Sequence, residues 1–106
     1  VLAAATEVNV HALEARDPEN LSLEKYAAVG ELLSGEDFRD TRTACRVLVE
    51  TLEEWTQRLK LPRLSEFGVR EADIPRIVAA SRGNSMKSNP VDLTDEEIAA
   101  IVRKRL

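Results

Sequence analysis

Few side chains in this sequence could do chemistry. His11 is the only imidazole and Cys45 the only thiol. A metal site usually needs three or four converging ligands, so His11 cannot form an iron or zinc site alone, and acid–base catalysis would need a positioned partner that the sequence does not identify. Cys45 lies among apolar neighbours, where a thiol more often packs as a small hydrophobe than reacts. Neither residue is predicted to be catalytic or to bind a metal.

Paired carboxylates and phosphate-binding motifs are the other places to look for a site. The pairs Glu53-Glu54 and Glu96-Glu97 are adjacent on predicted helices, where neighbouring side chains point in different directions, so they indicate solvated charge. The sequence has no Gly-x-Gly-x-x-Gly, no P-loop and no Gly-x-Ser-x-Gly. The basic residues at 103–105 could attract an acidic partner, but they are explained equally well as positive charges that complement the negative C-terminal end of the last helix. No catalytic, cofactor-binding or metal-binding residue is predicted.

Composition excludes several classes of protein. Fifteen basic against nineteen acidic residues give a net charge of −4, whereas nucleic-acid binding depends on concentrated positive charge. A single cysteine cannot close an intrachain disulfide, and no run approaches the roughly 18 apolar residues of a membrane span. We therefore expect a cytoplasmic chain that binds neither nucleic acid nor membrane.

The elements that would position any site are helices. Only 4% of the 106 residues are aromatic, against 43% hydrophobic in total, so the core must consist of Leu, Val, Ile and Ala, which favours closely packed helices. Residues 1–15 predict a helix with no capping residue before it, which indicates a domain truncated at its N-terminus. A second helix is expected from an N-cap at Ser22 to Ser34, ended by Gly35.

The third predicted helix spans residues 40–60 and carries the longest apolar stripe. The stripe residues recur every three or four positions and should face the core: Ala44, Leu48, Leu52, Trp55 and Leu59. Pro62 ends this helix, and a short helical turn over residues 64–67 should follow with Gly68 as its cap.

Two more helices and one polar loop complete the prediction. The fourth helix spans residues 71–82, with Pro75 tolerated near its start, and residues 83–90 form the loop. Thr94 and Glu97 then predict a capping box, with Leu93 and Ile98 as a hydrophobic staple. The chain is therefore predicted to be all-α, a bundle of five to six helices forming a single domain over residues 1–106.

The second half of the chain carries a distinctive order of motifs: Leu61-Pro62, Leu64-Ser65, Phe67-Gly68-Val69, Glu71-Ala72-Asp73-Ile74-Pro75, Asn89-Pro90, Leu93-Thr94 and Glu96-Glu97-Ile98. This order resembles the closing segment of iron-containing alcohol dehydrogenases, and residues 24–29 extend the similarity more weakly upstream. The resemblance implies the C-terminal part of the helical domain that these enzymes share with dehydroquinate synthase-like proteins.

The resemblance also implies what this chain lacks. Family members have an N-terminal NAD(P)-binding domain of the Rossmann type, and one Asp and three His hold iron or another divalent metal between the domains. His11 does not occupy a matching motif, so the ligands and the cofactor site would lie outside this chain. The partner expected is the missing dinucleotide-binding domain, and a homo-oligomer is left open.

The resemblance also indicates one candidate loop, and two other functions are kept as alternatives. Ser85, Met86 and Asn89 belong to a loop that resembles a family loop on the substrate side of the cleft, although the favoured interpretation is a connection that merely positions the last helix. We expect the chain alone to be inactive in alcohol oxidation. The alternatives are a stand-alone helical interaction module and, with less support, a small independent enzyme.

Overall fold

The chain folds into helices. The structure, a computed structural model, describes the backbone of the whole chain and every side chain except those of residues 84 and 85. The prediction of an all-α fold of five to six helices is confirmed. The helices are α1 (Leu2–Arg16), α2 (Leu21–Ser34), α3 (Thr41–Arg58), α4 (Ile74–Ala80), α5 (Asn84–Lys87) and α6 (Asp95–Lys104), with 3-10 turns at Leu64–Phe67 and Glu71–Asp73.

Contacts divide the chain into two compact units. We call residues 2–61 the N-terminal unit and residues 62–106, with which Val1 clusters, the C-terminal unit. In the part of the chain that the structure describes, no helix combines the length and apolar character needed to cross a membrane.

Local capping explains where α2 begins and ends. The predicted N-cap at Ser22 is wrong: Asn20 caps the helix, because its extended backbone lets its side-chain oxygen accept the Ser22 amide hydrogen at 2.8 Å. Asn at this position is as good a cap as Ser, and it lies earlier in the chain. Gly35 ends the helix as predicted, with a φ of 74° that residues other than glycine adopt only at a cost.

The start of α3 is fixed by Asp40. Its carboxylate accepts hydrogen bonds from the Arg42 amide at 2.9 Å and from the Thr43 hydroxyl at 3.0 Å. These bonds favour the ionised carboxylate, so the pKa of Asp40 lies below its usual value, with the Arg42 amide as the main cause. The helix then presents its apolar stripe to α1 and α2.

The core of the N-terminal unit is built on small residues. Gly30 of α2 lies directly against the backbone of α3, and a Cβ added there would overlap the carbonyl oxygen of Ala44. Ala3 of α1 packs with Leu48 and Leu52 of α3. At the other end of α1, the Glu14 carboxylate pairs with the Arg42 guanidinium at 2.7 Å, although both groups are partly exposed and the pair contributes little.

The apolar stripe of α3 is only partly buried. Ala44, Leu48 and Leu52 are in the core, but Trp55 is 41% exposed and Leu59 68% exposed, so the prediction that the whole stripe faces the core is wrong. The reason is geometric. Ala3, which packs with the last buried stripe residue, lies in the first turn of α1, so α3 extends beyond its cover within the N-terminal unit.

In the C-terminal unit, the turn at Leu64–Phe67 is held by a glycine cap and by hydrogen bonds to the end of the chain. Gly68 caps the Leu64–Phe67 turn at a φ of 85°, as predicted. The amides of Leu64 and Ser65 donate to the carbonyl oxygens of Arg105 and Leu106 at 2.7 and 3.2 Å. These bonds satisfy amides at the start of a helical turn, which has no earlier carbonyl to accept them.

Helices α4 and α6 form the apolar centre of the C-terminal unit. The predicted single helix over residues 71–82 is instead a 3-10 turn followed by α4, with Pro75 in the first turn of α4, where its missing amide costs nothing. The capping box is confirmed: Thr94 and Glu97 exchange hydrogen bonds of 2.8 and 3.2 Å. Leu93 and Ile98 are both buried, as a hydrophobic staple requires.

The close approach at Gly30 gives the first prediction. We expect Gly30→Ala to lower the free energy of unfolding by about 2 kcal/mol, because α2 must move away from α3 to admit the methyl group. Gly83→Ala is the matched control, since an added Cβ there meets no atom within 4 Å. Its effect should stay within about 0.5 kcal/mol. Urea unfolding followed by circular dichroism measures both, and an unchanged or raised stability of Gly30→Ala contradicts the packing described.

Candidate functional site

The loop singled out in the sequence is partly helical. Residues 84–87 form α5, so only Gly83 and residues 88–90 of the predicted loop are non-helical. Met86 is half-buried and Asn89 is half-buried, and the Asn89 side-chain amide donates to the carbonyl oxygen of Val91 at 2.8 Å. The side chain of Ser85 lies outside the described residues. Asn89 therefore holds the turn that leads to α6, which is a structural task whether or not the loop also borders a cleft.

Arg82 anchors both ends of this loop, and the sequence analysis did not identify it. Its guanidinium donates to the carbonyl oxygen of Leu93 at 2.8 Å and to the Asp95 carboxylate at 2.6 Å. One side chain thus connects the segment that follows α4 to the first turn of α6. The signal available in the sequence was an Arg next to Gly83, the residue predicted to end the fourth helix, but the partners of Arg82 are 11 and 13 residues away and no local pattern predicts them.

His11 lies beside a groove between α1 and α3 of the N-terminal unit. The groove has a volume of about 680 Å³, and its lining combines two apolar residues with charges of both signs: Glu7, Val10, His11, Glu14, Arg42, Arg46, Val49, Glu50 and Glu53. Among the described side chains, no three His, Cys, Asp or Glu residues come close enough together to hold a metal ion. The groove therefore offers mixed surface charge and no recognisable reaction centre.

Cys45 is the most chemically distinctive buried group. Its side chain is 1% exposed, and its thiol donates to the carbonyl oxygen of Leu23 at 3.4 Å. Burial, with smaller contributions from the carboxylates of Glu14 and Asp40, raises the pKa of the Cys45 thiol from 9.0 to about 11. The thiol is therefore neutral at physiological pH, whereas a nucleophilic cysteine needs a lowered pKa.

The outward face of α2 is apolar, which the sequence analysis missed. Leu23, Ala27 and Gly30 are buried, yet Leu21 is 67% exposed and Leu32 is 80% exposed on the opposite side. The signal was present in the sequence, because apolar residues occur on the outward side of this helix as well as on the side that packs on α3. A surface helix normally has a polar outward side.

Comparison with known proteins adds no assignment. No protein-family model matches the chain, and neither a curated protein nor a solved structure matches it. The order of motifs from Leu61 onward is therefore the basis of the family hypothesis.

The loop anchor gives a second prediction. We expect Arg82→Met to lower the free energy of unfolding by about 1 kcal/mol, because it removes the hydrogen bond to the carbonyl of buried Leu93 and the bond to Asp95. Arg76→Met is the control, since Arg76 is mostly exposed and pairs only with Asp73 within its own segment. Its effect should be below about 0.5 kcal/mol. Equal effects in urea unfolding would show that Arg82 is not an anchor.

Cys45 gives a third prediction, a dependence of stability on pH. An unfolded thiol loses its proton near pH 9, whereas Cys45 in the folded chain keeps its proton up to a pKa of about 11. The Cys45 contribution is therefore fully present below pH 9, and it is lost as the pH rises from 9 to 11. Cys45→Ala should remove this component, so the difference in unfolding free energy between the two proteins should change over that pH range. A difference that is constant from pH 8 to pH 11 contradicts the raised pKa.

Proposed function

We propose that this chain is the C-terminal helical portion of an iron-containing, NAD(P)-linked alcohol dehydrogenase that acts in the cytoplasm on alcohols or aldehydes. The order of motifs from Leu61 to the last helix carries the proposal: its individual elements are common, but the ordered string spans nearly half the chain. The single unpaired thiol supports the cytoplasmic placement.

The local roles of the motif residues support the proposal. Gly68 has a positive φ, Pro75 lies in the first turn of α4, and Thr94 forms a capping box with Glu97. Asn89 holds the turn before α6. These residues are thus of types that suit their backbone positions, as expected of motifs that specify one arrangement of short helices.

In this proposal, the residues of this chain do not bind the metal ion or the cofactor. The metal ion and the nicotinamide cofactor of the family polarise the alcohol oxygen and accept hydride. The described side chains contain no group of three metal-ligand residues, and His11, the single imidazole, is exposed. The donor set therefore does not fit an iron centre, and the proposal assigns metal and cofactor binding to the dinucleotide-binding domain and the rest of the parent protein.

Within each unit, exposed apolar residues favour a surface that is covered in the working protein. Leu2 and Leu59 of the N-terminal unit are exposed by more than two thirds, and so is Phe67 of the C-terminal unit. Such residues would be buried where this helical portion meets the rest of its parent. The same observation favours the second candidate, a stand-alone interaction module, in which another protein covers these residues.

The coding sequence upstream of Val1 in the source DNA tests the first proposal. We expect it to encode a dinucleotide-binding domain, with one Asp and three His at metal-ligand positions. A start codon directly before Val1 contradicts the proposal and favours the interaction module.

Activity provides an independent check. We expect no alcohol-dependent NAD(P)H formation by the purified 106-residue chain in the presence of Fe²⁺ or Zn²⁺, with the full-length product of the same reading frame as the positive control. Turnover by the isolated chain would show that the reaction centre lies within these residues, contrary to the proposal.

A further inference from the structure

Helix α2 carries a second apolar stripe that no part of the chain covers among the described residues. Leu21, Ala28 and Leu32 repeat at intervals of seven and four residues, which places them on one side of the helix, opposite the residues that pack on α3. Val29 widens the stripe and is also exposed. Lys25 falls within it, and a lysine stem can lie along an apolar surface while its ammonium group stays in water. The stripe has the spacing by which two helices pack together.

A pair of free carboxylates borders the stripe. Glu24 and Glu31 are two helical turns apart and lie on the same flank of α2. Neither makes an ion pair with any described side chain. Acidic residues also outnumber basic ones across residues 2–61 as a whole. This edge therefore favours a partner that carries positive charge.

The arrangement of charge disfavours a second copy of the chain. Two antiparallel copies of α2 bring the same flanks together, so Glu24 of one copy would lie near Glu31 of the other, and like charges repel. In a parallel pair this flank would meet the opposite flank of the copy, where Val29 and Leu33 carry no charge. Neither arrangement places a basic flank residue opposite Glu24 and Glu31, since Lys25, the one basic residue of α2, lies within the stripe.

We propose that the outward face of α2 binds an amphipathic helix of a partner protein. That helix carries a stripe of leucine or similar apolar residues, with two Lys or Arg residues seven positions apart on one flank. The stripe of that helix would cover Leu21, Ala28 and Leu32, and its basic residues would pair with Glu24 and Glu31. Ala28 at the centre allows the two helices to approach closely. The inference rests on α2 alone and stands independently of the dehydrogenase proposal.

Two synthetic helical peptides test the proposal. Both carry the same leucine stripe, and they differ only in two flank residues seven positions apart, which are lysines in one peptide and glutamates in the other. We expect the 106-residue chain to bind the lysine peptide about fivefold more tightly in fluorescence anisotropy at low salt, as two partly screened ion pairs imply. The double substitution Glu24→Lys with Glu31→Lys should reverse the preference.

Matched variants separate this site from general electrostatic attraction. Glu19→Lys with Glu36→Lys makes the same change in net charge outside α2, and should leave the preference for the lysine peptide intact. Leu32→Ser should weaken the binding of both peptides about tenfold, because Leu32 is the most exposed anchor of the stripe. All substituted residues are exposed or half-buried, so circular dichroism should show unchanged helix content.

Three results would overturn the proposal. One is equal binding of the two peptides, and another is a preference that survives charge reversal at Glu24 and Glu31. The third is a dimer of the chain in sedimentation equilibrium that Leu32→Ser dissociates, because a second copy would then occupy the face. None of these results bears on the upstream coding sequence, so failure here and failure of the dehydrogenase proposal are distinguishable.

Discussion

The N-terminal unit depends on how closely α2 approaches α3 at Gly30. With few aromatic side chains available, the core gains its density from short distances between backbones and not from large rings. Gly30 lies against the backbone of Ala44, where an added Cβ would overlap the carbonyl oxygen, and Ala27 and Leu23 of α2 are buried on the same side. The Leu23 carbonyl of α2 accepts a hydrogen bond from the Cys45 thiol of α3, and burial of this thiol raises its pKa to about 11.

Packing against α3 accounts for the apolar residues on the inner side of α2 and not for those on its outer side. A surface helix normally pairs an apolar inner face with a polar outer face. In α2 the outer face carries Leu21, Val29 and Leu32, and exposing them to water is unfavourable by about 25 cal/mol for each Å² of apolar surface. The core of residues 2–61 does not bury these side chains, and the proposed partner helix would cover them.

Features that depend on adjacent residues could be predicted from the sequence, and features that depend on distant ones could not. Gly35, Gly68 and the Thr94–Glu97 box follow from a few neighbouring residues, and the structure confirms them. The cap of α2 was misplaced because two suitable residues lie two positions apart. The exposure of Trp55 and the partners of Arg82 depend on where other helices end, and periodicity within one helix carries no information about that.

The same distinction determines what the family resemblance can support. Its motif residues form turns, caps and helix starts, which are roles that a chain needs in order to fold and that do not require a ligand. Asn89 illustrates this, because its amide is already engaged by Val91. Such motifs are evidence about architecture, and architecture can host many reactions. The motif order therefore supports only the proposed parent protein, whereas the proposed helical partner depends on the apolar stripe and the two carboxylates on the outer face of α2.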